Sequence, residues 1–385
     1  MQVGVPKEKS PEQRVAIVPE TVSQILKSGL AVHIESGAGE NAHIQDHHYQ
    51  QAGAKIESNI ETLYQQSDII LKVNRPLLNN SNEYPELDLL KENSILIAPL
   101  APLKNLDLIA KLNTKKITAF SLDYLPRIAR AQSMDILSSM SNIAGYKSVI
   151  LAANHLGKLF PMMTTAAGTI LPAKVIVIGA GVAGLQAIAT ARRLGGVVLA
   201  FDTRPAAAEQ VKSLGAEFVS LETTHEQSQD QGGYAKEQSI EFYAKEQEII
   251  QNYLPEADVV ITTALIPNKT APVLITESMV KKMKPGSVIV DLAIEQGGNC
   301  VLSEEGKIVT KHSITLIGLL NLPSTLPVHA SQLYAKNMLS FLKYIIPQIK
   351  GNQFDQSDEI IKSCLITHQG EMIHSGVKHA MEQKG

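Results

Sequence analysis

Three closely spaced glycines, Gly179, Gly181 and Gly184, lie in the stretch GAGVAG that spans residues 179–184. They follow the apolar run Lys174–Ile178 and open a segment with helical periodicity, so the pattern predicts a strand, a tight turn and a helix. In such a turn the first glycine permits the bend, the second lets the main chain approach a pyrophosphate, and the third allows close packing of helix on strand. Free amides and the positive end of the helix dipole then favour bound phosphates.

An acidic residue, Asp202, ends the next predicted strand, eighteen positions after Gly184. A carboxylate in this place accepts hydrogen bonds from ribose hydroxyls and repels a 2′-phosphate. Arg204, two residues later, could instead favour the phosphorylated cofactor. Because Asp202 holds the strand-end position, we predict a site for NAD(H) rather than NADP(H).

Short β-like runs alternate with helical segments along most of the chain, which is typical of parallel sheets covered on both faces. The predicted strands are Val3–Pro6, Ala31–Glu35, Asp68–Val73, Ser94–Pro99, Ile117–Leu122, Lys174–Ile178, Val197–Asp202, Asp258–Leu265, Ser287–Leu292 and Thr315–Leu319. Helices are predicted at Glu20–Ser28, Ser58–Gln66, Asn105–Leu112, Val182–Leu194, Ala206–Leu214 and Thr276–Lys284.

Two longer helices are predicted at Asp135–Leu156 and at His329–Ile346, the second ending at Pro347. The fold class that follows is α/β, with two Rossmann-like parallel-sheet domains linked by long helices and with a cleft between them. We expect one domain at residues 1–137 plus 330–385, and the nucleotide-binding domain at residues 138–329.

Composition excludes several classes of protein. The formal charge is −3 over 385 residues, which provides no broad basic surface for nucleic acid. Two distant cysteines, Cys300 and Cys364, and eleven histidines without ligand spacing give neither a disulfide framework nor a metal site. The N-terminus lacks the pattern of a signal peptide, and the apolar runs are shorter than the ~20 residues of a membrane span. We therefore expect a cytoplasmic protein.

One polar segment, Glu222–Asn252, is longer than a minimal dinucleotide fold requires, and it contains YAKEQ twice, at 234–238 and 243–247. A loop of this length is usually functional or disordered. The alternative is a solvated surface insertion, and the spacing alone does not decide between the two.

These motifs together resemble the NAD(H)-binding component of proton-translocating NAD(P) transhydrogenase, a family related to alanine dehydrogenase. The resemblance covers nearly the whole chain. The motifs that carry it are RVAIVP (14–19), RAQSMD (130–135), SSMSNIAGY (138–146), FDTRP (201–205), GGYAK (232–236), TTALIP (262–267) and VDLAIEQGG (290–298).

The resemblance implies that the chain binds NAD(H) and exchanges hydride with NADP(H) on a separate subunit, coupled to proton passage through a membrane-spanning subunit. The activity would be that of a Re/Si-specific NAD(P)⁺ transhydrogenase. The chain would be a homodimer, held at the cytoplasmic face of the inner membrane by its partners.

The family places a loop against the nicotinamide, and here its residues are Arg127, Gln132 and Asp135, with Ser138 beside them. The resemblance implies that these four are the catalytic set, with Gln132 reaching the incoming NADP(H). Taken without the resemblance, Arg127 and Asp135 would be a surface ion pair worth ~0–1 kcal/mol.

The resemblance also completes the nucleotide-binding set and gives the polar segment a role, as a mobile loop near 222–245 that closes over NAD(H) with Tyr234 at its tip. In addition to the residues of the catalytic loop, the implied contacts are Ile128, Ala129, Gly179, Gly181, Val182, Gly184, Asp202, Thr203, Arg204, Gly233, Tyr234, Gln247 and Leu265.

Two other functions stay open. An alanine dehydrogenase-like enzyme would need an acid/base group, but the stretch Ile97–Pro102, where that family carries a catalytic histidine, contains none. A non-catalytic NAD(H) sensor would bind the nucleotide without exchanging hydride.

Overall fold

In a computed structural model, residues 1–77, 86–220, 239–266, 269–351 and 353–384 are described. The strands in these ranges are β1 (Gln2–Val5), β2 (Ala31–Glu35), β3 (Lys55–Glu57), β4 (Ile69–Leu71), β5 (Ile95–Ala98), β6 (Thr118–Ser121), β7 (Met163–Thr165), β8 (Gly168–Ile170), β9 (Lys174–Ile178), β10 (Val197–Asp202), β11 (Glu217–Ser220), β12 (Val259–Thr262), β13 (Val288–Asp291), β14 (Ile308–Lys311), β15 (Ile314–Ile317), β16 (Leu365–His368) and β17 (Glu371–Met372). The helices are α1 (Pro19–Lys27), α2 (Asp46–Gln51), α3 (Ile60–Gln66), α4 (Glu86–Leu89), α5 (Leu106–Thr114), α6 (Ile136–His155), α7 (Val182–Arg193), α8 (Ala207–Ser213), α9 (Ile240–Gln251), α10 (Glu277–Val280), α11 (Pro327–Lys350), α12 (Glu359–Cys364) and α13 (Ser375–Lys384).

The chain divides into two compact units. Unit 1 contains residues 1–140 and 324–385, and unit 2 contains residues 141–323. This division places the limits at 140/141 and 323/324, and the predicted domain limits at 137/138 and 329/330 remain predictions. Within the described ranges, no helix is both long and apolar enough to cross a membrane.

Unit 1 is built on a sheet whose order, in the described residues, is β17-β16-β6-β5-β4-β1-β2-β3. Strands β1 to β6 are mutually parallel, while β16 runs antiparallel to β6 and β17 runs antiparallel to β16. The parallel part has the order 3-2-1-4-5-6 of a doubly wound sheet.

Unit 2 repeats that order in β11-β10-β9-β12-β13-β15, with β14 added antiparallel at the edge. Its strands are short and apolar on both faces because helices cover both sides. The strand order reverses between β9 and β12, the point where such sheets bind ligands. The predicted α/β class with two Rossmann-like parallel sheets is therefore confirmed.

Several sequence predictions were wrong in detail. Pro347 does not end the last long helix, because α11 continues to Lys350. Ile349, beyond the proline, packs against the core of unit 1, and this contact favours the last helical turn although an internal proline costs ~3 kcal/mol. Of the two long helices expected to link the units, α6 passes from unit 1 into unit 2, whereas α11 lies wholly in unit 1.

The loop predicted near 222–245 extends too far, because α9 begins at Ile240. Ser239 caps this helix by accepting a hydrogen bond from the amide of Phe242 at 3.2 Å. Ile250 is fully buried, so the C-terminal end of the segment is not a solvated insertion. The rest of the predicted loop, including Gly233 and Tyr234, lies outside the described residues.

Beyond strand β13, the buried carboxylate of Asp291 organises the loops that follow. It accepts hydrogen bonds from the Thr262 hydroxyl at 2.9 Å and from the amides of Ala293, Asn299 and Cys300 at 2.9–3.1 Å. Asn299 in turn bonds the amide and carbonyl of Ala264 at 3.0 and 2.9 Å. One buried acid thus fixes the chain that leaves β12 at the switch point.

We expect Asp291→Ala to lower the free energy of unfolding by about 3 kcal/mol or more, because it leaves buried donors without an acceptor. Glu305→Ala, which truncates an exposed acid in the same unit, is the control and should change it by less than about 0.5 kcal/mol. Chemical denaturation of the two variants measures the difference, and equal losses would contradict this role of Asp291.

Candidate nucleotide-binding site

The glycine turn lies between β9 and α7, beside the point where the strand order of unit 2 reverses. Gly179 has φ of +96°, a left-handed conformation that glycine adopts without strain. Its carbonyl accepts a hydrogen bond from the Thr263 hydroxyl at 2.9 Å, which ties the turn to the end of β12. A Cβ at Gly184 would stand 1.8 Å from that carbonyl oxygen, so this glycine is required by the fold itself.

Gly181 is different, because its backbone imposes no such requirement. It is the N-cap of α7 with φ of −74°, which any residue can adopt. Among the described atoms, a Cβ placed there would meet nothing within 4 Å. A side chain is therefore compatible with the turn, so the fold itself does not require glycine at this position.

Asp202 lies at the end of β10 and is 7% exposed. One carboxylate oxygen accepts from the Ala180 amide at 2.7 Å and from the Arg204 guanidinium at 2.8 Å. The other accepts from the amide and Nε of Arg204, both at 2.8 Å. Asp202 therefore connects the glycine turn to Arg204, and this hydrogen bonding raises the pKa of the Arg204 guanidinium.

Of the remaining predicted contact residues of unit 2, three follow the carboxyl ends of strands β9, β10 and β12. Val182 and Thr203 are half-buried, in the first turn of α7 and just after β10. Leu265 is 36% exposed on the segment after β12 that Asn299 fixes. Gln247 donates a hydrogen bond from its amide nitrogen to the Val273 carbonyl at 2.8 Å, so its side chain is engaged elsewhere in unit 2.

The residue before Gln247 has a different environment, which the polar sequence around it did not indicate. Glu246 is 5% exposed in the middle of α9. Burial, and then the charge of Asp202, raise its pKa to about 8. The spacing of Tyr243, Glu246 and Ile250, at three and four residues on a helix, was the available signal that Glu246 lies on the buried face.

The predicted catalytic loop belongs to unit 1 and is firmly anchored there. Ala131 and Met134 are buried in the core of that unit, while Gln132 between them is exposed. The amide nitrogen of Asn337, on α11, donates to the Ser133 carbonyl at 2.9 Å. The loop forms a short 3₁₀ helix over Ala129–Met134, and the side chain of Gln132 is exposed on this helix.

The ends of this loop carry the other predicted catalytic residues. Asp135 accepts hydrogen bonds from the amide and the hydroxyl of Ser138, at 2.9 and 2.6 Å, where α6 begins. These bonds make Asp135 a helix cap and bring it together with Ser138. Arg127 and Ala129 are exposed and Ile128 is half-buried at the start of the loop.

A doubly wound α/β chain with a glycine turn at its switch point belongs to the dinucleotide-binding class. Family models agree with this assignment. The N-terminal domain model of alanine dehydrogenase/PNT matches residues 4–144, and the C-terminal domain model of alanine dehydrogenase/PNT matches residues 148–375. The chain belongs to the alanine dehydrogenase/PNT family.

Individual relatives and structures agree. The chain is 48% identical over 377 residues to an NAD(P) transhydrogenase alpha subunit chain of Rhodospirillum rubrum, covering 97% of this chain and 98% of that one. It is 30% identical over 396 residues to alanine dehydrogenase 2 of Staphylococcus aureus, covering 100% and 97%. A transhydrogenase structure from Sinorhizobium meliloti matches with a TM-score of 0.84 and 40% identity, covering 98% and 100%; an L-alanine dehydrogenase structure matches with 0.83 and 25%, covering 100% of both.

The two glycines give a matched pair of variants. We expect Gly181→Ala to change the free energy of unfolding by less than about 1 kcal/mol, because the added methyl group meets no described atom. The same methyl group should weaken NADH binding at least tenfold, because it keeps the pyrophosphate away from the main chain. Gly184→Ala should instead lower stability by about 1–3 kcal/mol or more, through the clash with the Gly179 carbonyl. NADH titration and thermal melting of both variants test this; normal NADH binding by Gly181→Ala would contradict the assignment.

Proposed function

We propose that the chain is the NAD(H)-binding subunit of a Re/Si-specific, proton-translocating NAD(P) transhydrogenase. It exchanges hydride between NADH held here and NADP⁺ held on a partner subunit. The observation that carries the proposal is the glycine turn, where Gly181 leaves open space and Asp202 ends the adjacent strand. The 48% identity to a transhydrogenase subunit over almost the full chain supports the choice of reaction.

The residues divide the work between holding the nucleotide and orienting its ring. The amides at the start of α7 face the pyrophosphate, and Asp202 accepts hydrogen bonds from the adenosine ribose and selects against a 2′-phosphate. When bound, NAD(H) supplies or accepts the hydride. Arg127 binds the carboxamide or a phosphate, and Asp135 and Ser138 hold the carboxamide side.

Direct hydride exchange between two nicotinamides moves no proton at the reacting carbon, so orientation and exclusion of water determine the rate. This requirement fits a set that lacks a general base. Gln132, exposed on the anchored loop, reaches toward the partner's NADP(H). An alanine dehydrogenase-like reaction needs an acid/base group, and the segment 97–102 provides no histidine.

The partners follow from the reaction. A separate subunit holds NADP(H), and a membrane-spanning subunit conducts the protons. This chain docks on them at the cytoplasmic face of the inner membrane. The curated transhydrogenase relatives are named as alpha subunits, which supports an assembly of several chains.

A reconstitution experiment tests the reaction. The purified chain is mixed with the cognate NADP(H)-binding subunit, and reduction of an NAD⁺ analogue by NADPH is followed by absorbance. We expect turnover that requires both subunits. Formation of NADH from alanine by this chain alone would favour the dehydrogenase alternative, and NADH binding without any hydride exchange would favour the sensor.

Gln132→Asn tests the catalytic loop within the same assay. Shortening the exposed side chain by one methylene should lower the rate of hydride transfer at least tenfold while changing NADH affinity less than about twofold. Gln50→Asn, an identical change at an exposed position on α2, is the control and should have no effect. A large loss of NADH affinity in Gln132→Asn would contradict its assigned role.

We also propose that the chain is a homodimer. Strands β7 and β8 form a separate two-stranded hairpin whose residues are all exposed. Met162, Met163, Ile170 and Leu171 on or beside it are 43–71% exposed. Because an isolated hairpin is marginally stable in water, this apolar arm fits a surface that a second copy of the chain covers.

Aspartate on the hairpin should therefore disrupt the dimer. We expect the double variant Met162→Asp, Leu171→Asp to raise the dimer dissociation constant at least tenfold, because it places charge in an apolar contact. Val301→Asp, at another exposed apolar residue of unit 2, is the control and should leave the dimer intact. Light scattering coupled to size exclusion measures this, and a monomeric unmodified chain would contradict the proposal.

A further inference from the structure

The exposed side of the catalytic loop carries an arginine to which the proposed reaction assigns no role. Arg130 lies on the short 3₁₀ helix, two residues before Gln132. Its Nη1 donates hydrogen bonds to the Tyr344 hydroxyl on α11 at 3.3 Å and to Oδ2 of Asp358 at 3.2 Å. These contacts join the loop to two residues that lie 214 and 228 positions farther along the chain.

Asp358 is the residue at which these contacts meet. Its Oδ2 accepts a hydrogen bond from the Tyr344 hydroxyl at 2.5 Å as well as the bond from Arg130. Its other oxygen, Oδ1, accepts from the amides of Ile360 and Ile361 at 2.9 and 3.2 Å and so caps α12. One carboxylate oxygen therefore caps the helix, and the other contacts the loop.

The carboxyl group of Asp358 is charged at neutral pH. Its side chain is 15% exposed, and burial by itself would raise its pKa. Hydrogen bonds from the Tyr344 hydroxyl, from the first amides of α12 and from Arg130 outweigh burial and lower the pKa. Exposed ion pairs usually contribute little, but here one partner is largely buried and fixed by three other donors. Such a carboxylate is a strong acceptor for a guanidinium.

The loop needs contacts of this kind because its internal structure is weak. A 3₁₀ helix has poorer hydrogen-bond geometry than an α-helix, and this one has only six residues. Ala131 and Met134 fix its buried side in the core of unit 1, and Asn337 bonds the Ser133 carbonyl. The bonds of Arg130 to Asp358 and Tyr344 add an anchor on the exposed side, next to Gln132.

We propose that Asp358 is a positioning residue for the hydride transfer and acts through Arg130 on the loop that carries Gln132. This inference rests on the proposed function, because the loop has a catalytic role only in that reaction. Exchange between two nicotinamides depends on their orientation. A loop released at Arg130 therefore slows the transfer, although every residue predicted to contact the nucleotide is still present.

Asp358→Asn separates the two contacts of this side chain. Asparagine keeps an oxygen acceptor for the amides of α12 and is a good helix cap. Its amide nitrogen takes the place of Oδ2 and cannot accept from Arg130 or Tyr344. With the cognate NADP(H)-binding subunit and saturating nucleotides, we expect the rate of hydride transfer to fall about five- to tenfold. The Kd for NADH should change less than about twofold, and the melting temperature by less than about 2 °C.

Two further variants show whether the effect passes through the loop. Asp107→Asn makes the same change in another acid of unit 1, which pairs with Lys384 at 2.8 Å, and should leave the rate unchanged. Arg130→Gln should slow the transfer to a similar extent as Asp358→Asn. The double variant should be no slower than either single one, because both changes remove the same connection.

Hydrogen exchange of the chain alone gives a readout that does not depend on activity. The amides of Ala131 and Asp135 form main-chain hydrogen bonds along the loop at 3.0 and 3.3 Å. They should exchange at least about threefold faster in Asp358→Asn than in Asp107→Asn, because the released loop opens more often.

The outcomes are distinct. An unchanged rate in Asp358→Asn beside an active unmodified chain, additive losses in the double variant, or unchanged exchange of the loop amides would each overturn the proposal. So would a loss in Arg130→Gln that Asp358→Asn does not reproduce, because Arg130 would then act by itself. No turnover by the unmodified chain with its partner would instead defeat the proposed function, on which the positioning role rests.

Discussion

The carboxylate of Asp202 is the interaction on which the candidate site depends. It receives the Ala180 amide of the glycine turn and the guanidinium of Arg204 at once, at 2.7 and 2.8 Å. The turn, the end of β10 and the following segment are therefore held in one arrangement. A charge-assisted bond to a buried carboxylate is about twice as strong as a neutral one, which suits a connection that must hold before a ligand arrives. Arg204, which the sequence left as an argument for NADP(H), is directed onto this acid.

The rest of unit 2 determines where that acid lies. The strand order reverses between β9 and β12, and the Thr263 hydroxyl joins the two strand ends by bonding the Gly179 carbonyl. On the β13 side, Asp291 and Asn299 fix the segment that carries Leu265. Two buried acids thus have different tasks. Asp202 joins the glycine turn to Arg204, whereas Asp291 joins the end of β12 to the segment after β13.

Local patterns allowed much of this to be predicted. The glycine turn, the strand before it and Asp202 are adjacent in sequence, and their spacing alone indicates a strand, turn and helix. Long-range packing decided what the sequence did not show. Pro347 is a strong local signal for a helix end, yet α11 continues past it to Lys350 and Ile349 packs against the core of unit 1. The short edge strands β3, β14 and β17 have weak patterns of their own and form by pairing with a neighbour. The predicted site residues stay predictions, because their roles depend on a nucleotide.

The polar segment shows how composition can mislead in both directions. Its many charged and amide residues suggested solvent, but a helix can bury one face and hydrate the other, and α9 does so with Ile250 inside and Glu248 outside. Glu246 is on the inner face although its type predicts the outer one. Glutamate is almost never buried without a partner. Conformational stability gives no reason for an acid at this position, since leucine or glutamine would avoid the cost of desolvation. The two faces of α9 show that the position on the helix, rather than the residue type, decides burial here.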